Sequence, residues 1–401
     1  MSKIAKIVGM SRYYGSLASP TLKRLVKSLP RKESRDAMVH LGAAARWLSE
    51  AQDAFDDGGV ARSYSLIYQH FFKSKGWIPS YPETTGYIIP TVFDYAALAD
   101  DKSMRRRAVK MADWECEVQM ESGAVQGGTI DTPRQTPAVF NTGQVIFGWL
   151  RAYKETNEKK YLDSAVKAGD YLVTTQDRDG AWRKNLTDFA SASIKTYTYN
   201  VRVAWALIKL SVVTGDKRYR DGAELNLEHG LDEQLDNGWF KNDCLYDPSA
   251  PLLHTLAYTI RGILEAALLL ERDDYIDKAR LSADALLKLQ AGDGGVPGRL
   301  DKNWSAKADY ACLTGLAQTA IIWGRLYETT EKKSYLVAMQ RANEYLKRVQ
   351  ILNTGKPCLD GGISGSFPLS GIYGRYEILN WAVKFFMDSL MLENKITANG
   401  A

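Results

Sequence analysis

The chain has 401 residues, 45% apolar and 25% charged, a balance that fits one soluble body built from repeated units rather than several independent domains. Its four cysteines (Cys116, Cys244, Cys312, Cys358) lie far apart with no CxxC and no nearby histidine pair, which argues against a zinc cluster and a disulfide framework. The net charge of +5 is carried by residues 1–35, where nine Lys/Arg face Glu33 alone; the body is slightly acidic, which disfavours nucleic acid as a partner.

Residues 1–35 read as a basic arm. It lacks the long apolar run of a signal peptide, and no stretch of the chain approaches the ~18–20 apolar residues of a membrane span, so a cytoplasmic location is expected. Leu22, Leu25, Val26 and Leu29 share one helical face with Lys23, Arg24 and Lys27 around it. That face would touch an anionic membrane surface or an assembly partner, or would pack on the body.

From 36 to 392 one helix–turn–helix unit recurs about six times, before a tail at 393–401. YKETNEKKYLDSAVKAGDYL (153–172) and YETTEKKSYLVAMQRANEYL (327–346) match in length, charge pattern and tyrosine placement. VTGDKRYRDGAELNLEHGL (213–231) follows the same plan, and 98–114 and 270–287 follow it more loosely. These outer helices, beginning near 36–55, run into Gln-x-x-x-Gly turns: QMESGAV (119–125), QDRDGAW (176–182), QLDNGWF (234–240) and QAGDGGV (290–296). KGW (75–77) and DGGISGSF (360–367) are taken as the first and last equivalents. In each the glycine supplies a left-handed cap or turn. Apolar inner helices are expected over 83–98, 137–153, 196–213, 253–270, 306–327 and 372–391. The fold is therefore an all-α (α/α)6 toroid of six inner and six outer helices. Inner-to-outer connections are tight, and outer-to-inner connections are long. One face is thus plain, and the other carries loops, helix N-termini and any site.

The alternating helices with QDRDGAW-type turns resemble the six-hairpin glycosidase-like and toroid superfamily. That group includes glycoside hydrolases, polysaccharide lyases, sugar epimerases, and terpene cyclase and prenyltransferase toroids. FNTGQVIFGWLRAY, LLHTLAYTIRGILEAA and GRYEILNWAVKFFMDSLM resemble, more narrowly, a bacterial family associated with cell-surface polysaccharide production. The terpene cyclase branch would imply an Asp-x-Asp-Asp motif, which the chain lacks. The zinc-dependent branches would imply a ligand set that its His and Cys do not form. The resemblance thus implies chemistry on an acidic poly- or oligosaccharide, and no residue pattern calls for a cofactor or metal.

Polar residues at the first turns of inner helices are the candidates for the site. Glycoside hydrolysis needs a protonated carboxylic acid at the leaving oxygen and a second carboxylate serving water or the sugar. Asp309 with Glu377 or Glu83 supplies such a pair, since inner helices five, six and one adjoin in a closed ring. Each also reads as a helix-start carboxylate facing the dipole, and Glu377 as a partner of Arg375. Uronate elimination or C5 epimerisation needs a proton-exchanging group and donors for the substrate carboxylate. His254 or Tyr258 would move the proton, while Asn200, Arg202 or Arg261 would hold the carboxylate. His254 reads equally as a hydrogen-bonded helix-start residue, and Arg261 as the i+4 partner of Glu265. Asn141, Gln144, Tyr199, Arg375 and Tyr376 complete the expected substrate lining, with Tyr197, Lys307, Tyr310 and Asn380 beside them. A non-catalytic glycan-binding or scaffold role predicts aromatics in the cleft but no paired acid and base.

Overall fold

The structure is a computed structural model that describes residues 3–30, 33–186 and 195–399. Six inner helices form a ring: α4 (Pro82–Leu98), α6 (Val139–Thr156), α8 (Val201–Thr214), α10 (Leu253–Leu270), α12 (Leu313–Thr330) and α14 (Asn380–Asn399). Each packs on the next, and α14 packs back on α4, which closes the ring. The outer layer is α3 (Ala37–Asp53), α5 (Lys102–Glu117), α7 (Lys159–Thr175), α9 (Lys217–Asp232), α11 (Asp273–Leu289) and α13 (Lys333–Val349). The inner helices are buried on nearly every side, which is why their sequences are apolar all round rather than along one stripe. Four of them end in a left-handed cap, at Asn157, Gly215, Glu271 and Glu331, and the chain turns within a few residues into the next outer helix. Asp101 and Asp216 then cap α5 and α9 by accepting backbone N–H groups of their first turns.

The Gln-x-x-x-Gly turns have a role beyond chain reversal. Gln119 Nε2 donates to the Gly123 carbonyl at 2.9 Å and to Ser164 O, on the next outer helix, at 3.0 Å. Gln176 does the same to Gly180 and Gly222, both at 2.8 Å, and Gln290 to Gly294 and Ala338 at 3.2 and 2.8 Å. Gln234 reaches Lys278 O and Ser282 Oγ, while Ser282 donates to Gly238 O. Gln350 joins the Gly361 carbonyl to His40 O on α3, so the clamps run around the whole outer layer. The glycine is needed twice over: at Gly180, φ is +82° and an added Cβ would lie 2.2 Å from Leu225 O. The first clamp is Gln52, which donates to Gly58 O and Arg107 O. This corrects the expectation for KGW (75–77), which lies on a strand.

Strands decorate the loop-bearing face, and period-based reading missed them. β1 (Ala61–Gln69) and β2 (Ser74–Ser80) form an antiparallel hairpin, and β5 (Glu377–Leu379) adds to β1 in the order β2-β1-β5. β3 (Ala311–Cys312) pairs with β4 (Ser366–Phe367). The fifth and sixth inner helices consequently start at Leu313 and Asn380, later than the expected 306 and 372. The tail expected from 393 is instead the continuation of α14 as far as Asn399.

The arm forms α1 (Lys3–Leu17) and α2 (Pro20–Ser28); Arg31, Lys32 and the side chains of Lys3, Lys6 and Lys27 lie outside the described residues. Leu22 and Leu25 are buried in the common core and Val26 is exposed, so much of the apolar face of α2 packs on the body. By length and composition α10 is apolar enough to cross a membrane, contrary to the reading that no stretch is. Its place is in the inner ring, with 78% of that stretch buried.

Candidate functional site

The first turn of α4 carries the best-defined acidic group of the loop-bearing face. Pro82 sets the helix start, with its missing N–H at a position that needs no partner, and Glu83 follows in the first turn. Glu83 is buried, and Tyr81, the residue before the helix, donates its hydroxyl to Glu83 Oε2 at 2.6 Å. Burial raises the Glu83 pKa to about 7, against the opposing pull of Tyr81, Arg202 and Arg62. The Asn141 amide lies within reach of Tyr81 and also donates to Gln126 O at 2.9 Å.

A second carboxylate is tied to the same cluster through Arg62. Glu377 on β5 forms a 2.6 Å ion pair with Arg62 on β1, and the Ser63 hydroxyl donates to the same oxygen, Oε2, at 3.0 Å. Glu377 Oε1 takes neither bond. The Arg62 guanidinium also lies over the Trp381 ring, 5.0 Å from its centroid. The expected Arg375 partnership is therefore corrected: Arg375 is exposed and lies against Tyr376, while Arg62 holds Glu377. Tyr376 has a left-handed backbone and gives its carbonyl to Leu66 N, so it serves the strand junction.

Deeper in the ring, His254 and Tyr258 are ring neighbours at 4.3 Å. The Gln318 amide lies 2.8 Å from His254 Nδ1, which in the neutral ring leaves the proton on Nε2. Burial, then Arg202, lowers the His254 pKa to about 3, too low for an effective general base near neutrality. Burial pushes the Tyr258 hydroxyl well above its ordinary range, and Tyr87 lies 3.5 Å from it. Arg202 is fully buried with Nε donating to Gln144 Oε1 at 2.5 Å, and its guanidinium sits over Tyr258, Trp205 and Phe147 at 4.9–5.4 Å. Tyr199 stacks on Tyr197 and meets Phe140 edge-on. Its hydroxyl and Asn200 Oδ1 are buried without a hydrogen-bond partner among the described residues.

Two further expected residues do not join this cluster. Asp309 is exposed on the loop before β3, because Ala311–Cys312 form a strand pairing rather than a helix start, so it does not complete a buried pair. Arg261 points to the other end of the ring, 3.6 Å from Glu265 and 3.9 Å from Asp388; the i+4 partnership with Glu265 is present. Conversely, sequence reading missed Tyr81, Arg62 and Asp243. Asp243, on the loop before α10, is buried, and burial raises its pKa to about 8 against the influence of the Thr259 hydroxyl. Tyr199 lies within electrostatic range of both Glu83 and Asp243. The one sequence signal for these residues was their place on long outer-to-inner loops.

The face expected to be plain is not. A cavity of about 1020 Å³ opens among the C-terminal halves of the inner helices, with Tyr87 and Arg202 among its lining. Among the described residues no three His, Cys, Asp or Glu side chains converge as metal ligands would.

The family model described as β-L-arabinofuranosidase, GH127 catalytic domain, matches residues 81–281, from the start of α4 to the middle of α11. The chain belongs to that family. It is thus an enzyme acting on carbohydrates, and Glu83, Asp243, His254 and Tyr258 fall in the matched segment. Among solved structures, the unsaturated glucuronyl hydrolase of Bacillus sp. GL1 superposes with a TM-score of 0.71 at 14% identity, covering 90% of this chain and 98% of that one. Cellobiose 2-epimerase of Bacillus thermoamylovorans B4167 gives 0.68 at 14% identity, covering 86% and 95%. A glycosyl hydrolase family 88 protein of Bacteroides vulgatus gives 0.63 at 13% identity, covering 90% and 99%. These likenesses show a shared (α/α)6 toroid. No curated protein matches the chain.

Proposed function

We propose that the enzyme hydrolyses the glycosidic bond of an oligosaccharide of acidic character, with Glu83 as the general acid. What carries this reading is one cluster holding two unlike carboxyl groups. Glu83 is buried with a pKa of about 7, and Glu377 is bound in an ion pair to Arg62. Environments that differ in this way suit one group to give a proton and the other to take one. Glu83 delivers its proton to the leaving oxygen as the bond from the anomeric carbon breaks. Glu377, through Oε1, accepts a proton from the water whose oxygen adds to that carbon. Tyr81, Trp381 and Arg62 border the cluster with aromatic faces and a cation, as binding of a sugar ring with a carboxylate requires. The acidic character also draws on the unsaturated glucuronyl hydrolases that share this fold.

The test offers the protein 4-nitrophenyl β-L-arabinofuranoside, unsaturated glucuronyl disaccharides and saturated uronate-containing oligosaccharides, in oxygen-18 water and separately in heavy water. Oxygen-18 in the released sugar supports hydrolysis. A new ultraviolet-absorbing double bond, or deuterium gained without cleavage, would replace the reading with elimination or epimerisation.

A further inference from the structure

The cavity at the C-terminal ends of the inner helices has a charge balance that packing does not explain. Eight of its lining residues are Lys or Arg and two are Asp. Cations near helix C-termini are ordinarily accounted for by the helix dipole, and at the mouth that account holds. Arg151, for example, lies in the last turns of α6 and pairs with Asp94 and Glu155. The deeper cations are different. Arg202 lies in the first turn of α8, Lys384 in the second turn of α14, and Arg261 midway along α10, where the dipole offers them nothing.

Arg325 is paired with Glu328, and the other four deep cations, Arg202, Lys209, Arg261 and Lys384, have two carboxylates near them. Asp388 holds Lys384 in an ion pair and approaches Arg261 at 3.9 Å, and Glu265 approaches Arg261 and Arg325 at 3.6 and 3.3 Å. Among the described residues Lys209 makes no ion pair or hydrogen bond, with Glu265 only within electrostatic range. Arg202 Nη1 and Arg261 Nε and Nη1 are buried with no hydrogen-bond partner among the described residues. Buried charge left in this state is costly, and an entering anion would supply the missing acceptors. Trp205 and Phe147 stand beside these cations with ring centroids 4.4 Å apart, giving an aromatic wall of the kind on which a sugar ring packs.

We propose that this axial cavity is a second binding site, for an anionic sugar whose charged group, phosphate or carboxylate, enters among Arg202, Lys209, Arg261 and Lys384. Its volume of about 1020 Å³ is sufficient for a mono- or disaccharide. The site opens on the face opposite Glu83 and Glu377, and Arg202 stands between the two, within electrostatic range of Glu83.

The test is calorimetric titration of the full chain at low ionic strength with glucose 1-phosphate, glucuronate, inorganic phosphate and neutral glucose. Saturable one-to-one binding of glucose 1-phosphate or glucuronate, with none for glucose, is expected, and the preferred anion identifies the charged group. Lys209→Met, which removes the unpaired charge at nearly constant volume, should weaken that binding about tenfold. Lys154→Met at the exposed rim, a change remote from the core, should weaken it about twofold to threefold and serves if the first variant fails to fold. Glu83→Gln, which removes a carboxylate within electrostatic range of Arg202, should not weaken anion binding. The proposal is overturned if no anion binds, if the folded variants bind as tightly as the original, or if Glu83→Gln abolishes binding and so puts the anion on the other face.

Discussion

The Tyr81 hydroxyl donates to Glu83 Oε2 at 2.6 Å and opposes the rise that burial imposes on that carboxyl. A general acid works only while protonated, so kcat/KM for hydrolysis should fall as pH rises through about 7. Tyr81→Phe removes a bond that favours the charged form, which moves the Glu83 pKa upward. The alkaline limb should shift by about one unit to higher pH, read from kcat/KM profiles of the two proteins. A limb that stays in place, or moves down, would show that another group controls it.

The outer-layer clamps make a stability prediction. Gln176→Leu removes one donor from each of the Gly180 and Gly222 carbonyls, of which Gly180 O keeps its bond from Asn226 Nδ2. Unfolding in urea should show a loss of about 2 kcal/mol. A similar loss is expected for Gln350→Leu, where the clamp joins the last turn to the first outer helix.

His254 makes the fold sensitive to acid. Its folded pKa, about 3, lies below its unfolded value, so between roughly pH 6.5 and 3 the unfolded chain binds a proton that the native ring refuses. Stability from this residue is complete above that window and falls as pH drops through it. His254→Gln should therefore lose less stability than the original between pH 7 and pH 4.5, as measured by denaturant midpoints.

Asp243 has the opposite sign. Its folded pKa, about 8, lies above the unfolded value near 3.8, so its contribution is most favourable in acid and is lost as pH rises toward 8. Asp243→Asn mimics the protonated form in shape. It should match the original in acid and gain stability relative to it as pH is raised from 5 to 8 in the same experiment.

The ring was readable because its cause is periodic. Apolar inner segments, tight left-handed turns and the Gln-x-x-x-Gly spacing recur, and each repeat reports the same burial problem. Glu83 was readable for the same reason, as a polar residue in the first turn of an inner helix. Arg62 was not, because it comes from a hairpin that interrupts the repeat, and its partner Glu377 lies more than 300 residues away on a strand read as helix. Asp309 was misplaced by the same error, since the strand at Ala311 replaces the turn that would have buried it. The basic cavity left no local sign at all. Its cations come from α6, α8, α10, α12 and α14, and only ring closure brings them together.

The most direct test of the assignment of Glu83 compares Glu83→Gln with the original on two glycosides of the same sugar, one with a nitrophenol and one with an alkyl alcohol as leaving group. Protonation matters only for the poor leaving group. The variant should therefore lose about 10²- to 10⁴-fold in kcat/KM on the alkyl glycoside and far less on the nitrophenyl glycoside. Equal losses on both substrates, or no loss on either, would contradict Glu83 as the general acid.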